Sequence, residues 1–273
     1  MASPVAQIAS QAEIPVLKPA SVGERTFVET LESLKPDIGV VAAFGQFLPR
    51  SIRELPSRGY LINAHASLLP RYRGAAPIAR ALLAGESRTG VSVMRVVRDM
   101  DAGPVAMRRE IKIGETENAA ELTDRLARLS ADAIEEALEA ISLETIRFTE
   151  QDASQATSAP KITREDAIID WRNDARSLER RVRAMAPRPG ASTTLQGETL
   201  RILEAKVLPA GTDPLSAVAG QVVRDSASAL PLRVATGDGW LVPLRVQRGG
   251  GRVLDIEAFL RGREIPDRAI LGD

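Results

Sequence analysis

The only histidine of the chain, His65, lies two residues after Asn63 in the stretch INAHASLLPRYRGAAPI, residues 62–78. Side chains two apart in an extended segment project to the same side, so Asn63 and His65 can face one ligand. An imidazole exchanges protons near neutral pH, and an amide N–H stabilises a developing oxyanion. An arbitrary lone histidine is usually a surface or core residue without a role. Its place just beyond a predicted strand, where open α/β sheets bind their ligands, favours a catalytic role here.

A second segment that could take part in the chemistry is VVRDMDAGPV, residues 96–105, which contains Asp99 and Asp101. Aspartates before glycine commonly form turns, which is one interpretation. The other is a carboxylate that orients the imidazole of His65. The pattern alone leaves open which of the two aspartates would do so.

These residues need a framework, and the hydrophobic pattern predicts one. Short apolar runs alternate with helical patterns in the first part of the chain, which favours an open α/β sheet. The run at residues 38–43 predicts a strand buried on both faces. Leucines and alanines at helical spacing predict one long amphipathic helix over residues 117–141.

The second part of the chain has a different pattern. The polar stretch QDASQATSA, residues 151–159, predicts a linker. A helix at 175–186 and five short β-rich runs separated by glycines then indicate a small OB-like β-barrel, followed by a short helix at 255–261. We therefore expect domains at residues 1–150 and 163–273, joined by a linker at 151–162.

Composition limits the possible functions. The formal net charge is zero and there is no cysteine, which excludes disulfides, thiolate metal sites and cysteine nucleophiles. Residues 161–273 are mildly basic, with 18 basic and 15 acidic residues, which is weak support for a polyanionic partner. No apolar run is long enough to span a bilayer and no secretory signal is recognisable, so we expect a cytoplasmic protein without membrane attachment.

Several stretches resemble one family. INAHASLLPRYRGAAPI resembles the signature of the folate-dependent formyltransferases, and its tail RGAAPI resembles the branch that acts on methionyl-tRNA. VVAAFGQFLP is similar to the loop that this family places around the pterin, and DMDAGPV to the segment whose aspartate falls on Asp101. APKITREDAIIDW, residues 159–171, resembles the family's junction into its C-terminal domain.

The resemblance implies a fold, a reaction and a set of site residues. The fold is an α/β, incomplete Rossmann-like formyltransferase domain with a mostly parallel sheet, followed by the OB-like barrel. The reaction is transfer of a formyl group from 10-formyltetrahydrofolate to the amino group of methionyl initiator tRNA, without a metal. Asn63, His65 and Asp101 would be catalytic. The residues implied to line the folate site are Ser67, Leu68, Leu69, Pro70, Phe44, Gly45 and Phe47.

The family holds the tRNA acceptor arm partly with its C-terminal domain. Basic residues there are the candidates for this contact: Arg180, Arg181, Arg183, Arg188, Arg201 and Lys206. A solvated charged surface is an equally good interpretation of any one of them. We expect a monomer.

The resemblance also implies a departure at the N-terminus. The family begins with a strand, a Gly-Thr-Pro-Glu-Phe loop, a helix and a second strand, and the sequence does not contain that loop. We therefore expect the first βα unit to be missing and the start codon to lie upstream, with unpaired sheet edges as a consequence. Mass spectrometry of the native protein tests this expectation.

Other functions remain open from sequence. Related formyltransferases act on glycinamide ribonucleotide or on amino sugars, or hydrolyse 10-formyltetrahydrofolate. The predicted β-barrel after Pro160 argues against the first of these. A protein of a different class, a non-catalytic RNA-binding remnant of the same fold, is a further alternative.

Overall fold

The computed structural model describes residues 3–208, 217–224, 231–263 and 265–272. The helices in chain order are α1 (Pro4–Gln11), α2 (Arg25–Ser33), α3 (Arg50–Arg53), α4 (Pro77–Ala84), α5 (Ala119–Ser142), α6 (Ala175–Met185) and α7 (Ile256–Gly262). The strands are β1 (Gly39–Val41), β2 (Leu61–His65), β3 (Arg88–Arg95), β4 (Val105–Lys112), β5 (Ala191–Leu195), β6 (Glu198–Leu208), β7 (Val222–Arg224), β8 (Leu232–Ala235), β9 (Trp240–Arg248) and β10 (Val253–Asp255).

The first sheet has the strand order β1-β2-β3-β4 and is mixed. β1 runs parallel to β2, whereas β2–β3 and β3–β4 are antiparallel. The α/β class is confirmed, but the expectation of a mostly parallel sheet needs this correction. β3 and β4 are joined by the short segment 96–104, which is too short for a parallel crossover and reverses the chain direction.

Strand β1 also differs from its prediction. We expected residues 38–43 to form a strand buried on both faces, but β1 has three residues and Val40 is 45% exposed. Within the described part of the chain, β1 pairs with β2 along one edge only. The apolar run therefore marks a strand correctly but overstates its burial.

Helix α5 confirms the predicted long amphipathic helix. Asn118 begins it with a capping box, in which its side chain accepts from the N–H of Glu121 and the Glu121 carboxylate accepts from the N–H of Asn118. One face of α5 packs on β3 and is fully buried, and its core residues are Leu122, Leu126, Ala133, Ala137 and Ile141. This packing holds β3 in place, and β3 in turn holds β2 through their strand pairing.

The second sheet is antiparallel, with the order β5-β6-β9-β8-β7 and with β10 added to β9. Each of the five predicted β-rich runs of the C-terminal unit contains a strand, and the three-residue strand β10 was not expected. The edge strands β5 and β7 do not pair with each other among the described residues. The predicted short terminal helix is confirmed as α7.

Helix α6 contacts both halves of the molecule. Its buried residues Leu178, Val182 and Met185 join the core, and the helix packs against α4 as well as β6. The division into domains at 150 and 163 remains a prediction. Of the helices in the described ranges, none combines the length and apolar character that a membrane crossing requires.

Candidate active site

The site is built on the last residues of β2. Asn63 and His65 project from the same face of this strand, and their partners in the neighbouring strand β3 are Met94 and Ser92. Both partners are buried, so this face of the sheet is packed rather than mobile. The His65 side chain is only 7% exposed.

Each ring nitrogen of His65 faces an acceptor. Nε2 lies 2.8 Å from the Tyr72 carbonyl oxygen, and because a carbonyl can only accept, Nε2 carries the proton of this hydrogen bond. Nδ1 lies 3.5 Å from Oδ2 of Asp101, whose side chain is 14% exposed. Asp99, the other aspartate left open by the sequence, is exposed. The structure thus brings Asp101 to His65.

The position of Asp101 depends on an unusual backbone. Its φ of 52° lies in the left-handed region, which is costly for a residue with a side chain. Oδ2 accepts a hydrogen bond of 2.8 Å from the Gly74 N–H. Gly103 follows, and a Cβ there would lie 1.9 Å from the Arg95 carbonyl oxygen, so only glycine fits. These contacts hold the carboxylate beside the imidazole.

The loop after β2 is fixed by hydrogen bonds within the loop and to Ser92 on β3. The Ser67 hydroxyl donates to the Arg71 carbonyl oxygen at 2.6 Å. The Ser92 hydroxyl donates to the Ser67 carbonyl oxygen at 2.7 Å and accepts from the Leu69 N–H at 3.0 Å. Ser67 and Leu69 are buried, so of the predicted folate residues in this loop Leu68 and Pro70 present more side-chain surface.

The other predicted folate loop is open. Phe44 is 44% exposed and Phe47 is 67% exposed, and Gly45 between them is exposed as well. Among the described residues, no hydrogen bond or ring contact ties this loop to His65. The structure therefore leaves two phenylalanine rings available to a ligand but does not bring them onto the imidazole.

Asn63 has an uncommitted side chain. It is half-buried at the strand end, and no described residue forms a hydrogen bond with its amide group. A half-buried amide without a protein partner is well suited to a ligand oxygen, because burial strengthens such a bond. No group of three or more histidine, aspartate or glutamate side chains in the described ranges is arranged to hold a metal ion.

Tyr72 was not singled out from sequence, although it lies within the RYRG stretch. Its backbone, at a φ of 60°, turns the carbonyl towards His65. Its hydroxyl donates to the Glu86 carboxylate at 2.7 Å. Burial, together with this bond to Glu86, raises the pKa of the Tyr72 phenol to about 12. The phenol therefore stays protonated at physiological pH and keeps the turn in place.

The six basic residues proposed for tRNA fall into two groups. Arg181 donates to the carbonyl oxygens of Asp166 and Ile168 at 2.7 and 3.0 Å. Arg183 pairs with Glu179 at 2.6 Å and donates to the Glu117 carbonyl oxygen. Arg180 covers Gly85 at the end of α4. The remaining three, Arg188, Arg201 and Lys206, are exposed or half-exposed on the C-terminal unit.

Comparison with known proteins identifies the family of the chain. Residues 1–138 match the Formyl transferase family model, and residues 161–264 match the model of the Formyl transferase C-terminal domain. A methionyl-tRNA formyltransferase of Methylococcus capsulatus is 42% identical over 98% of this chain and 85% of its own length. A methionyl-tRNA formyltransferase of Acidithiobacillus ferrooxidans is 44% identical over 82% of this chain and 71% of its own length.

Among solved structures, HypX from Aquifex aeolicus in complex with tetrahydrofolic acid has a similar fold. The TM-score is 0.64 at 21% identity, over 85% of this chain and 40% of that one. This likeness concerns the fold alone. The family models and the close relatives go further, and the chain belongs to the formyl transferase family and, within it, to the methionyl-tRNA formyltransferases.

Proposed function

We propose that this chain transfers the formyl group of 10-formyltetrahydrofolate to the amino group of methionyl initiator tRNA, and that Asn63, His65 and Asp101 carry out the transfer. The observation on which this rests is the contact of His65 with Asp101 at the end of β2, beside the Asn63 amide, which has no hydrogen-bond partner among the described residues. The two relatives named above and a third, from Syntrophus aciditrophicus, are methionyl-tRNA formyltransferases, which supports the choice of substrate.

The chemistry asks the protein to move protons and to stabilise negative charge. The folate, when bound, supplies the formyl group on its N10 atom. His65 takes up the proton that the attacking amine loses, and it returns a proton to the leaving nitrogen. Because Asp101 occupies the Nδ1 side, we assign this role to Nε2. In the reacting tautomer Nδ1 carries the proton and donates it towards Asp101, and Nε2 gives up its hydrogen bond to the Tyr72 carbonyl, so that Nε2 is free to accept the amine proton. Hydrogen bonds of this kind are often made differently before the substrate binds.

The developing carbonyl oxyanion needs donors in a site sheltered from water. The Asn63 side-chain N–H is the donor we assign to it, since this group has no described protein partner and lies on the same face as His65. Asp101 keeps the ring oriented, with its own position held by the Gly74 N–H.

The described residues fit a folate, although they do not enclose one. The exposed rings of Phe44 and Phe47 can pack on the faces of the pterin, and Gly45 between them lets the backbone approach it. Leu68 and Pro70 would contact the same ligand from the loop after β2, with Ser67 and Leu69 shaping that loop from inside.

For the tRNA we retain the C-terminal unit as the docking region. Arg188 and Lys206 are the stronger candidates, because both side chains are exposed, whereas Arg181 and Arg183 are engaged within the chain. Arg180 and Arg201 are half-buried, and Arg201 donates to the Gln247 side chain at 3.3 Å. We further propose that the protein acts as a monomer in the cytoplasm. The absence of cysteine is compatible with that reducing compartment.

Formylation assays with the full chain test the proposal. His65→Ala should lower kcat by roughly 10²- to 10⁴-fold, as expected for loss of a general acid–base group. Asp101→Asn should lower it less, because the imidazole remains but is no longer held by a carboxylate. Arg25→Ala is the matched control, since Arg25 forms an exposed ion pair with Glu29 on α2. Full activity in both site variants would refute the catalytic assignment.

The same assay separates the alternatives. A formyltransferase for glycinamide ribonucleotide or an amino sugar would formylate that amine and leave methionyl-tRNA unchanged, and a hydrolase would release formate without any amine. A non-catalytic RNA-binding protein would bind tRNA with or without the folate and with or without His65.

A further inference from the structure

The stretch that the sequence marks as a linker is attached to the active site. Gln151, at its start, donates from Nε2 to the carbonyl oxygens of Asp101 and Gly103 at 2.8 and 2.6 Å. Its Oε1 accepts from Nε and Nη2 of Arg73 at 3.1 and 2.7 Å. Both N–H groups and the oxygen of this one amide are therefore in use.

The two segments that Gln151 joins are those on either side of His65. Asp101 faces Nδ1 of the ring, and Tyr72, the residue before Arg73, supplies the carbonyl that faces Nε2. Gln151 holds the backbone of the first segment and the side chain of the second. The separation between the two acceptors of the imidazole thus depends on a residue that touches neither ring nitrogen.

Further hydrogen bonds connect residues 157–159 to the segment that contains Tyr72 and Arg73. The Tyr72 N–H donates to the Thr157 hydroxyl at 2.8 Å, and the Arg73 N–H donates to the Thr157 carbonyl oxygen at 2.8 Å. The Ala159 N–H returns a bond to the Arg73 carbonyl oxygen at 2.6 Å. A Cβ on Gly74 would lie 2.7 Å from the Ala159 carbonyl oxygen, which shows how closely the two segments run.

We propose that Gln151, in the segment between the two family domains, is a positioning residue for the His65–Asp101 pair. It acts through Asp101 and Tyr72 and does not contact the substrates. Asp101 has a left-handed backbone that its own sequence does not favour, and two hydrogen bonds from Gln151 to this turn offset that cost. Without them the turn relaxes and the carboxylate moves away from Nδ1.

His65 is the only histidine of the chain, so the imidazole-nitrogen NMR signals of the free protein report on this residue alone. Gln151→Met keeps the length of the side chain and removes all four hydrogen bonds. Gln151→Glu keeps the acceptor for Arg73 but places an oxygen against the two carbonyls, and it serves if the methionine variant does not fold. The matched control is Gln155→Ala, since Gln155 is exposed and bonds only to nearby Asp152.

We expect the Gln151 variants to shift the His65 ring signals at a fixed pH and to lower kcat by about 10-fold or more, with KM for the tRNA changed by less than about twofold. Gln155→Ala should leave both readouts unchanged. Ring signals in a folded Gln151 variant that match the wild type, or a kcat within about twofold of it, would overturn the proposal. The kinetic readout rests on the proposed function, whereas the NMR readout does not, so a wrong substrate would abolish turnover in every variant without touching the spectra.

Discussion

Asn63 and His65 are neighbours on one strand face, yet they differ in burial and in hydrogen-bond partners. The imidazole is buried with both nitrogens facing acceptors, whereas the amide has no described protein partner. Asn63 is only half-buried, so water can solvate its amide when no ligand is bound. The fold thus positions His65, whereas no described group competes with a ligand for the amide of Asn63.

That difference leads to a prediction for Asn63→Ala. The value of kcat should fall by roughly 10²- to 10³-fold, which is the range for the loss of one hydrogen-bond donor to the oxyanion. The free energy of unfolding should change little, because no internal hydrogen bond is lost. Steady-state formylation kinetics and urea unfolding measure the two quantities. A large loss of stability with unchanged kcat would mean that the amide is structural.

The sequence could identify the part of the site that is local in the chain. Asn63 and His65 are two residues apart on a strand, and strand periodicity suffices to place them on one face. Asp101 could only be narrowed to one of two aspartates, because the choice depends on a turn with a φ of 52°. Gln151 could not be found at all, since its partners lie 48 and more residues away and its surroundings have the composition of a linker.

At the scale of elements, periodicity predicted which face of a helix is buried, but it did not predict how the strands are arranged in the sheet. The buried stripe of α5 follows directly from its leucine and alanine spacing. The direction of β3 and β4 and the exposure of Val40 did not follow, because they depend on which strands become neighbours. Hydrophobicity indicates that a segment is buried but not how many sides of it are covered.

One connection between elements is electrostatic. Arg80 on α4 donates two hydrogen bonds of 2.7 Å to the Asp166 carboxylate, which lies just beyond the predicted linker. This bidentate bond from Arg80 is the main reason that the pKa of Asp166 is lowered from its usual value. The folded protein therefore prefers the ionised carboxylate more strongly than the unfolded chain does.

We expect Asp166→Asn to reduce the free energy of unfolding by about 1 to 3 kcal/mol at neutral pH, as for other charged hydrogen bonds. The carboxylate contributes fully above its unfolded pKa of about 4, and this contribution is lost as the pH falls through the lower folded value. Urea unfolding at pH 7 and in acid should therefore show a wild-type advantage that shrinks in acid. Asp132→Asn, at an exposed position of α5, is the control. An advantage that persists unchanged in acid would contradict this origin.

For the whole molecule, a formal charge of zero excludes strong general attraction to a polyanion. Recognition of tRNA must then come from a few local cations. The structure narrows them, because Arg181 and Arg183 satisfy carbonyl and carboxylate groups at the junction of the two sheets. The basic character of α6 therefore contributes to the internal structure more than to the surface potential.

Arg188→Ala and Lys206→Ala should each weaken tRNA binding and lower the slope of log K against log salt by about 0.7 to 0.9 per phosphate contact. Both side chains are exposed, so folding should be unaffected. Filter binding or fluorescence titration at several salt concentrations measures the slope, with Arg25→Ala as the control. If both variants keep the wild-type slope, the tRNA contacts lie elsewhere.

The close course of residues 151–159 along the turn at 72–76 has a practical consequence for chimeras within the family. A graft that exchanges the C-terminal half should join the two parents after Ala159, so that Gln151 and Thr157 stay with the strand end they secure. A junction placed before Gln151 would import a foreign stretch into the catalytic half. In the resulting hybrid both halves would fold, but the imidazole of His65 would be held less firmly between its two acceptors.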